Sequence, residues 1–136
     1  MVVSNPKPLS IAVLTISDTR NEKTDSSGQF LAENLITAGH RLHTKVIIKD
    51  DISAIQAVVK DWISDRSVNA IITTGGTGFF SRDVTPEAIS PLFEKPIEGF
   101  GELFRAISYQ EIGASTIQSR AFGGMANNTC IFCLPG

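Results

Sequence analysis

Strand-like runs of seven or eight residues alternate along this chain with segments whose apolar residues recur at helical spacing. The runs are SIAVLTIS (10–17), LHTKVIIK (42–49) and VNAIITT (68–74), and CIFCL follows near the end. A nearly continuous apolar strand is typical of a parallel sheet that is covered on both faces. The alternation of strands and helices therefore predicts a three-layer α/β/α fold with a mostly parallel, doubly wound sheet.

Two segments between these runs have the spacing of amphipathic helices. The clearer one is SAIQAVVKDWISD, and the other is GQFLAENLITAGH, where Gly39 offers a helix stop. Each begins with a capping-box pattern, Ser26 with Gln29 and Ser53 with Gln56. Further along, FGELFRAI predicts another helix.

Length, charge and hydropathy limit the classes of protein to which the chain can belong. With 136 residues, a single domain spanning 1–136 is expected. The net charge of −2 and the scattered basic residues argue against a nucleic-acid binder. No apolar stretch reaches the roughly 20 residues that cross a bilayer, and MVVSNPKPLS does not resemble a signal peptide. We therefore expect a cytoplasmic protein.

Polar residues follow each of the first three predicted strands. Asp18 follows the first strand, Asp50 and Asp51 follow the second, and the loop 75–83 follows the third. Ligands bind at the carboxyl ends of strands in sheets of this class. The sequence therefore predicts that these acidic residues and this loop share one edge of the sheet.

The loop after the third strand is rich in glycine, so its main chain is covered by few side chains. Gly75, Gly76, Thr77 and Gly78 can present several N–H groups to an anion such as phosphate. Thr85 and Pro86 look like the N-cap and first residue of a helix whose start would add positive partial charge. The loop matches neither the dinucleotide nor the P-loop fingerprint, and a glycine-rich turn can also be only a turn.

Asp83 suggests a metal ion at this loop. A carboxylate beside a phosphate site is repulsive unless a cation lies between them, and Mg²⁺ bound by carboxylates and phosphates meets that need. Asp50 is either a second metal ligand or a residue that positions a nucleophile. Asp51 is interpreted as a loop residue, and Arg82 as either a phosphate ligand or a solvated side chain.

The C-x-x-C pair, Cys130 and Cys133, has the spacing of a redox or zinc motif. On a strand, however, positions i and i+3 point to opposite faces and lie about 10 Å apart. That separation is too large for a disulfide, and no second pair completes a zinc site. We expect two reduced, metal-free cysteines that are partly or fully buried.

Several longer motifs resemble one known family. They are TGGTGFFSRDVTPEA, EGFGELFRAISYQEIGASTIQSRA and LPG, with SDTR and DSSG near the start. Together they resemble the molybdenum cofactor biosynthesis protein B (MoaB/MogA) family, whose fold recurs in molybdopterin adenylyltransferase domains. The likeness runs from about Ile11 to Gly136.

The resemblance implies a domain that binds molybdopterin and Mg-ATP and adenylylates molybdopterin with release of pyrophosphate. By motif match, Gly75 to Gly78 hold phosphate, and Asp50 and Asp83 are the two catalytic carboxylates. Glu102 and Ser108 match the pterin side of the pocket. The family also implies a homotrimer or a homohexamer.

Two features qualify what the resemblance implies. Family members continue after LPG with a serine and a C-terminal helix, whereas the sequence given ends at Gly136, so we expect that helix to be absent from it. YQEIGASTIQSRA is closer to the protein B branch than to the dedicated adenylyltransferases. A catalytically silent pterin-binding or carrier protein is therefore one alternative. A flavodoxin-like electron carrier is another, although one Trp and one Tyr offer little for flavin stacking.

Overall fold

The described part of the chain, residues 7–136 of a computed structural model, is built on one six-stranded sheet. The first six residues of the N-terminal stretch discussed above lie outside it. The strands are β1 (Ser10–Ile16), β2 (Arg41–Ile48), β3 (Ala70–Thr74), β4 (Lys95–Pro96), β5 (Phe122–Ala126) and β6 (Thr129–Leu134). The helices are α1 (Ser26–Thr37), α2 (Ile52–Ser64), α3 (Thr85–Ile89) and α4 (Glu98–Ile112), with short 3-10 helices at Ser90–Leu92 and Gly113–Gln118.

The sheet is mostly parallel, and its strand order is β2-β1-β3-β6-β5-β4. β2, β1, β3 and β6 run in the same direction, whereas β5 and β4 form an antiparallel edge. All seven residues of β1 are buried, as expected for a strand with helices on both faces. The predicted α/β fold class is confirmed.

Alternate residues of β1 belong to two separate clusters of buried side chains. Leu14 packs in the larger cluster with Ile55 of α2 and Ile89 of α3. Val13 packs in the smaller cluster with Leu35 of α1. The helices therefore lie on both faces of the sheet, and within residues 7–136 none has the length and apolarity needed to cross a membrane.

The hairpin of β5 and β6 is absent from the sequence-based interpretation. β5 reads FGGMA, and two adjacent glycines are poor strand formers. Asn127 and Asn128 form the turn with φ of 49° and 65°, the left-handed conformation that two-residue hairpins favour. A Cβ on Gly124 would lie 2.3 Å from the ring of Phe93, so glycine is required there by packing.

The predicted helix caps are corrected by one residue at α1 and α3 and by two at α2. Asp25 rather than Ser26 caps α1, accepting from the N–H of Gly28 at 3.0 Å. Asp51 rather than Ser53 caps α2, so the residue interpreted as part of a loop has a structural role. α3 begins at Thr85, with Val84 in the cap position.

The two cysteines lie on β6, as predicted. Both are free, with Cys133 buried in the larger cluster and Cys130 packed against the smaller one. Burial raises the pKa of the Cys133 thiol to about 12. The prediction that they point to opposite faces is confirmed.

A buried ion pair ties α1 to the sheet. Asp25 is 3% exposed, and its Oδ2 lies 2.8 Å from Lys45 Nζ on β2 and accepts a hydrogen bond from Thr15 Oγ1 on β1 at 2.8 Å. Burial raises the pKa of the Asp25 carboxyl, but the hydrogen bonds from Lys45, Thr15 and Gly28 outweigh it and hold that pKa below its ordinary value. The start of α1 is therefore fixed relative to the ends of two strands.

We expect Asp25→Asn to lower the free energy of unfolding by about 3 kcal/mol, because it leaves the largely buried Lys45 with only the exposed Glu22, 3.6 Å away, as a counter-charge. Because the pKa of Asp25 is lowered in the folded state, its carboxylate stabilises the fold above the ordinary carboxyl pKa. That stabilisation is lost as the pH falls through the folded pKa. Urea denaturation at neutral pH and again at about pH 3 checks both effects. Asp61→Asn, an exposed aspartate on α2, should change stability by less than about 0.5 kcal/mol. An equal loss in both variants would contradict the prediction.

Candidate functional site

The carboxyl ends of β1, β2 and β3 open into one cavity of about 280 Å³. This is the edge at which the sequence places the acidic residues and the glycine loop. The residues that line the cavity are mostly polar: Thr15, Ile16, Ser17, Asp18, Thr19, Arg20, Asp25, Ser27, Asp50, Thr74, Gly75, Gly76, Arg82, Asp83 and Gly136. The predicted convergence of the three strand ends is confirmed.

The first two residues of the glycine loop require glycine. Gly75 has φ of 103°, and a Cβ there would lie 2.2 Å from the carbonyl oxygen of Ile16. Gly76 has φ of 73°, and a Cβ there would lie 2.2 Å from Thr85 Oγ1. Side chains are thus excluded where the loop lines the cavity. The N–H of Gly75 donates to the carbonyl oxygen of Leu134 at 2.9 Å, so of these two N–H groups that of Gly76 is the candidate donor to a ligand.

The other two residues of the predicted phosphate loop have different surroundings. Thr77 is buried, and neither Thr77 nor Gly78 lines the cavity. A Cβ on Gly78 would lie 2.7 Å from Asp83 Oδ2, so this glycine makes room for the aspartate. α3 has only five residues, so the positive partial charge expected from its start is small.

Both predicted catalytic aspartates lie against this loop. Asp50 Oδ1 lies 3.3 Å from the position that a Cβ on Gly76 would take. Asp83 Oδ2 accepts a hydrogen bond from the N–H of Phe80 at 2.9 Å. The structure therefore brings Asp50, Asp83 and the first two glycines together, although 33 positions separate the two aspartates in the numbering.

Asp18 is a further carboxylate of the cavity and lies beside Asp50. Its Oδ1 accepts from the N–H of Asp50 at 3.0 Å, and its Oδ2 lies 3.2 Å from Arg82 Nη2. Burial raises the pKa of the Asp50 carboxyl, the negative charges of Asp18 and Asp83 raise it further, and Arg82 opposes the rise. The site thus concentrates negative charge.

This set of carboxylates fits a magnesium ion that is bound together with phosphate. Within residues 7–136, no three or more His, Cys, Asp or Glu side chains gather closely enough to hold a metal unaided. Carboxylate oxygens are the ligands that Mg²⁺ prefers, and it commonly takes one or two of them with phosphates and water. A cation would also relieve the like-charge repulsion that raises the pKa of Asp50.

The structure does not bring Glu102 and Ser108 to this cavity. Glu102 is exposed on α4 and lines a second cavity of about 400 Å³ together with Arg105 and Arg120. Ser108 lies further along α4 and is half-buried, outside the linings of both cavities. Their assignment to the pterin remains a prediction that rests on the family motif.

Several residues of the cavity were not identified from the sequence. Ser27 enters from the start of α1, and Thr19 and Arg20 enter from the loop after β1. Both segments belong to the quoted motifs SDTR and DSSG, which could have indicated a role. Arg120 contacts the glycine loop from 37 positions beyond Asp83, and no local pattern signals that contact.

Comparison with known proteins places these features in a family. Residues 12–136 match the family model described as "Probable molybdopterin binding domain". Molybdenum cofactor biosynthesis protein B of Escherichia coli K12 is 48% identical over 129 residues, covering 95% of this chain and 76% of that protein. The Bacillus cereus protein of the same name is 48% identical over 132 residues, covering 96% of this chain and 78% of its own length.

Solved structures agree with the sequence comparison. A crystal structure of molybdenum cofactor biosynthesis protein B superposes with a TM-score of 0.93 at 48% identity, covering 98% of this chain and 83% of that one. The tungsten cofactor synthesizing protein MoaB of Pyrococcus furiosus gives a TM-score of 0.85 at 35% identity, covering 96% of this chain and 84% of that one. The chain belongs to the molybdenum cofactor biosynthesis protein B family of molybdopterin-binding domains.

Proposed function

We propose that this protein binds molybdopterin and Mg-ATP and adenylylates molybdopterin, releasing pyrophosphate. The single observation that carries the proposal is that Asp50 and Asp83 line one cavity with Gly75 and Gly76, with Asp50 lying against Gly76. That arrangement combines oxygen ligands for a cation with the main-chain N–H of Gly76 as a candidate donor to phosphate. Membership of a molybdopterin-binding family supports the choice of substrate.

In the proposed reaction, an oxygen of the pterin's terminal phosphate attacks the α-phosphorus of ATP. A new P–O bond forms, and the bond to the β-phosphate oxygen breaks, with the electron pair leaving on pyrophosphate. A bound Mg²⁺, held by Asp83 and Asp50, supplies charge neutralisation for the phosphate oxygens. The protein contributes chiefly position and electrostatics in phosphate chemistry of this kind.

Two cationic side chains on the cavity wall suit the phosphates of both substrates. Arg20 and Arg82 line the cavity, and Arg82 is 65% exposed while paired with Asp18. An exposed ion pair is weak, so Arg82 can exchange Asp18 for a phosphate at little free-energy cost. Gly75 and Gly76 line the same cavity and bring no side chain into it.

An apolar hollow of about 360 Å³ adjoins the cavity and suits a flat ring system. The two share Ser27, Thr74 and Gly136. Phe30 of α1 and Phe104 of α4 stand in its lining, and Phe30 is 63% exposed. Aromatic faces beside a phosphate site are the arrangement that a nucleotide or a pterin needs.

We expect Asp83→Asn to reduce turnover by roughly 10²-fold or more, comparable to removing one electrostatic contact to a transition state. The change preserves size and hydrogen bonding but weakens metal coordination, so pterin binding should change little. The rate of pyrophosphate release from ATP with molybdopterin measures it. Asp51→Asn is the matched control, because asparagine also caps helices and Asp51 does not line the cavity.

The same assay separates an enzyme from a catalytically silent pterin carrier. Pyrophosphate release that requires molybdopterin and Mg²⁺ supports the proposal. Molybdopterin binding without pyrophosphate release would favour the carrier. An Asp83→Asn variant that keeps the unmutated rate would show that the metal argument is wrong.

Asp50→Asn should separate stability from activity. The pKa of Asp50 is raised in the folded state, so ionised Asp50 destabilises the fold. This destabilisation is absent below the ordinary carboxyl pKa and is fully present once the pH has risen through the folded pKa. We therefore expect a higher unfolding midpoint than wild type at neutral pH, a gain that disappears at about pH 3, and a turnover loss similar to that of Asp83→Asn. Calorimetry at both pH values checks the sign, and a lower midpoint at neutral pH would contradict it.

We also propose that α4 contacts another copy of this chain in a trimer or hexamer, as the family resemblance implies. Leu103 and Ile107 lie one turn apart on α4 and are 62% and 56% exposed. Exposed apolar side chains that adjoin one another commonly mark interfaces.

Sedimentation at micromolar concentration tests this interface. Wild type should sediment as a trimer or a hexamer, and Leu103→Glu combined with Ile107→Glu should dissociate it, because charge is costly to bury in an apolar contact. Ile36→Glu places the same charge on α1 at a residue of similar exposure, 56%, and should leave the assembly intact. A monomeric wild type would refute the proposed interface.

A further inference from the structure

One side chain from a distant segment holds the glycine loop at several points. The backbone N–H of Arg120 donates to the carbonyl oxygen of Thr77 at 3.0 Å. Its Nε donates to the carbonyl oxygen of Gly78 at 3.0 Å, and its Nη2 donates to that of Asp83 at 2.9 Å. Arg120 therefore joins the middle of the loop to the residue that ends it.

The guanidinium of Arg120 is itself held in place. It forms a two-point ion pair with Glu87 of α3, at 2.5 Å and 3.2 Å, and lies 5.3 Å from the ring centroid of Phe79. The hydrogen bond from Arg120 holds the pKa of the Glu87 carboxyl below its ordinary value. A planar fork with five donors can satisfy a carboxylate and backbone carbonyls at once, whereas a lysine ammonium cannot.

The hydrogen bonds from Arg120 fix the orientation of the peptide groups of the loop. The N–H and C=O of a trans peptide point in opposite directions, and no described peptide bond is cis. With the carbonyls of Thr77 and Gly78 turned toward Arg120, the N–H groups of Gly78 and Phe79 point away from the guanidinium. The positive charge and the loop's donors are thereby kept apart.

Asp83 is fixed from two sides by this arrangement. Its carbonyl oxygen accepts from Arg120, and its carboxylate accepts from the N–H of Phe80 at 2.9 Å. The N–H of Asp83 donates to the carbonyl oxygen of Phe80 at 2.9 Å, which closes a tight turn. Release of the main chain at Asp83 would therefore also move the carboxylate at the cavity.

We propose that Arg120 is a positioning residue that sets the place of the Asp83 carboxylate at the cavity through its contacts with the loop carbonyls. This inference rests on the proposed adenylylation only for the consequence in turnover. The structural consequence, order in residues 77–85, is measurable without any substrate. Arg120 lies outside the lining of the cavity that holds Asp83, so it acts through that residue.

The turnover test uses Arg120→Lys, which keeps the charge and loses the fork. Misplacement of a catalytic group by about 1 Å can cost 10²-fold, so we expect turnover to fall by about tenfold or more. The KM for molybdopterin should stay within about twofold of wild type. Arg41→Lys, the same change at the opposite end of the sheet, should leave both constants unchanged.

A double-mutant cycle separates positioning from a general structural defect. If Arg120 acts through Asp83, Arg120→Lys should cause little further loss in an Asp83→Asn background, because the two effects are not additive. Full additivity would overturn the proposal. So would an Arg120→Lys enzyme with unaltered turnover.

Amide hydrogen exchange gives a readout that does not depend on the proposed reaction. In substrate-free protein, Arg120→Lys should speed exchange in residues 77–85 by about tenfold or more and leave the strands protected. Arg41→Lys is the control, because it makes the same change on β2 at the opposite end of the sheet from the loop. Unchanged exchange in the loop, or equal loosening in both variants, would overturn the proposal even if the protein does not adenylylate molybdopterin.

Discussion

Parallel pairing of β1 with both β2 and β3 is the constraint on which the candidate site depends. Because the three strands run in the same direction, the segments that follow them leave the sheet at one edge. Asp18, Asp50 and the glycine loop therefore meet without any sequence motif that joins them. The antiparallel strands β4 and β5 are confined to the far side of the sheet, where they leave that edge unchanged.

The same convergence makes the site electrostatically unfavourable on its own. Three carboxylates share a partly enclosed space, and burial together with mutual repulsion disfavours ionisation of Asp50. Natural proteins commonly accept such a loss of stability where function requires it. Elsewhere in the cavity wall the charge is balanced, as in the buried pair of Asp25 and Lys45.

The parts of the fold that could be predicted from the sequence are those whose signal lies in neighbouring residues. The buried strands and the amphipathic α2 have such a pattern, and the rule for strand ends places Asp50 and Gly75. The cap of α1 was misassigned because Asp25 is selected by its partners on β1 and β2, which local spacing does not reveal. β5 and the role of Arg120 escape a sequence-based prediction for the same reason. Gly124 of β5 is required by the ring of Phe93, and Arg120 bonds to carbonyl oxygens of a loop that is distant in the sequence.

The strand order also has a consequence for the sequence of events in folding. β1, β2 and β3 come from a contiguous stretch, whereas β6 begins 55 positions after β3 ends, and the two must pair. Contacts between distant segments form only after their loop-closure entropy is overcome, so local pairings have the kinetic advantage. The N-terminal half can thus assemble the aspartate-bearing strand ends first. On the positioning role proposed for Arg120, the loop bearing Asp83 gains its final shape only when the segment containing Arg120 docks.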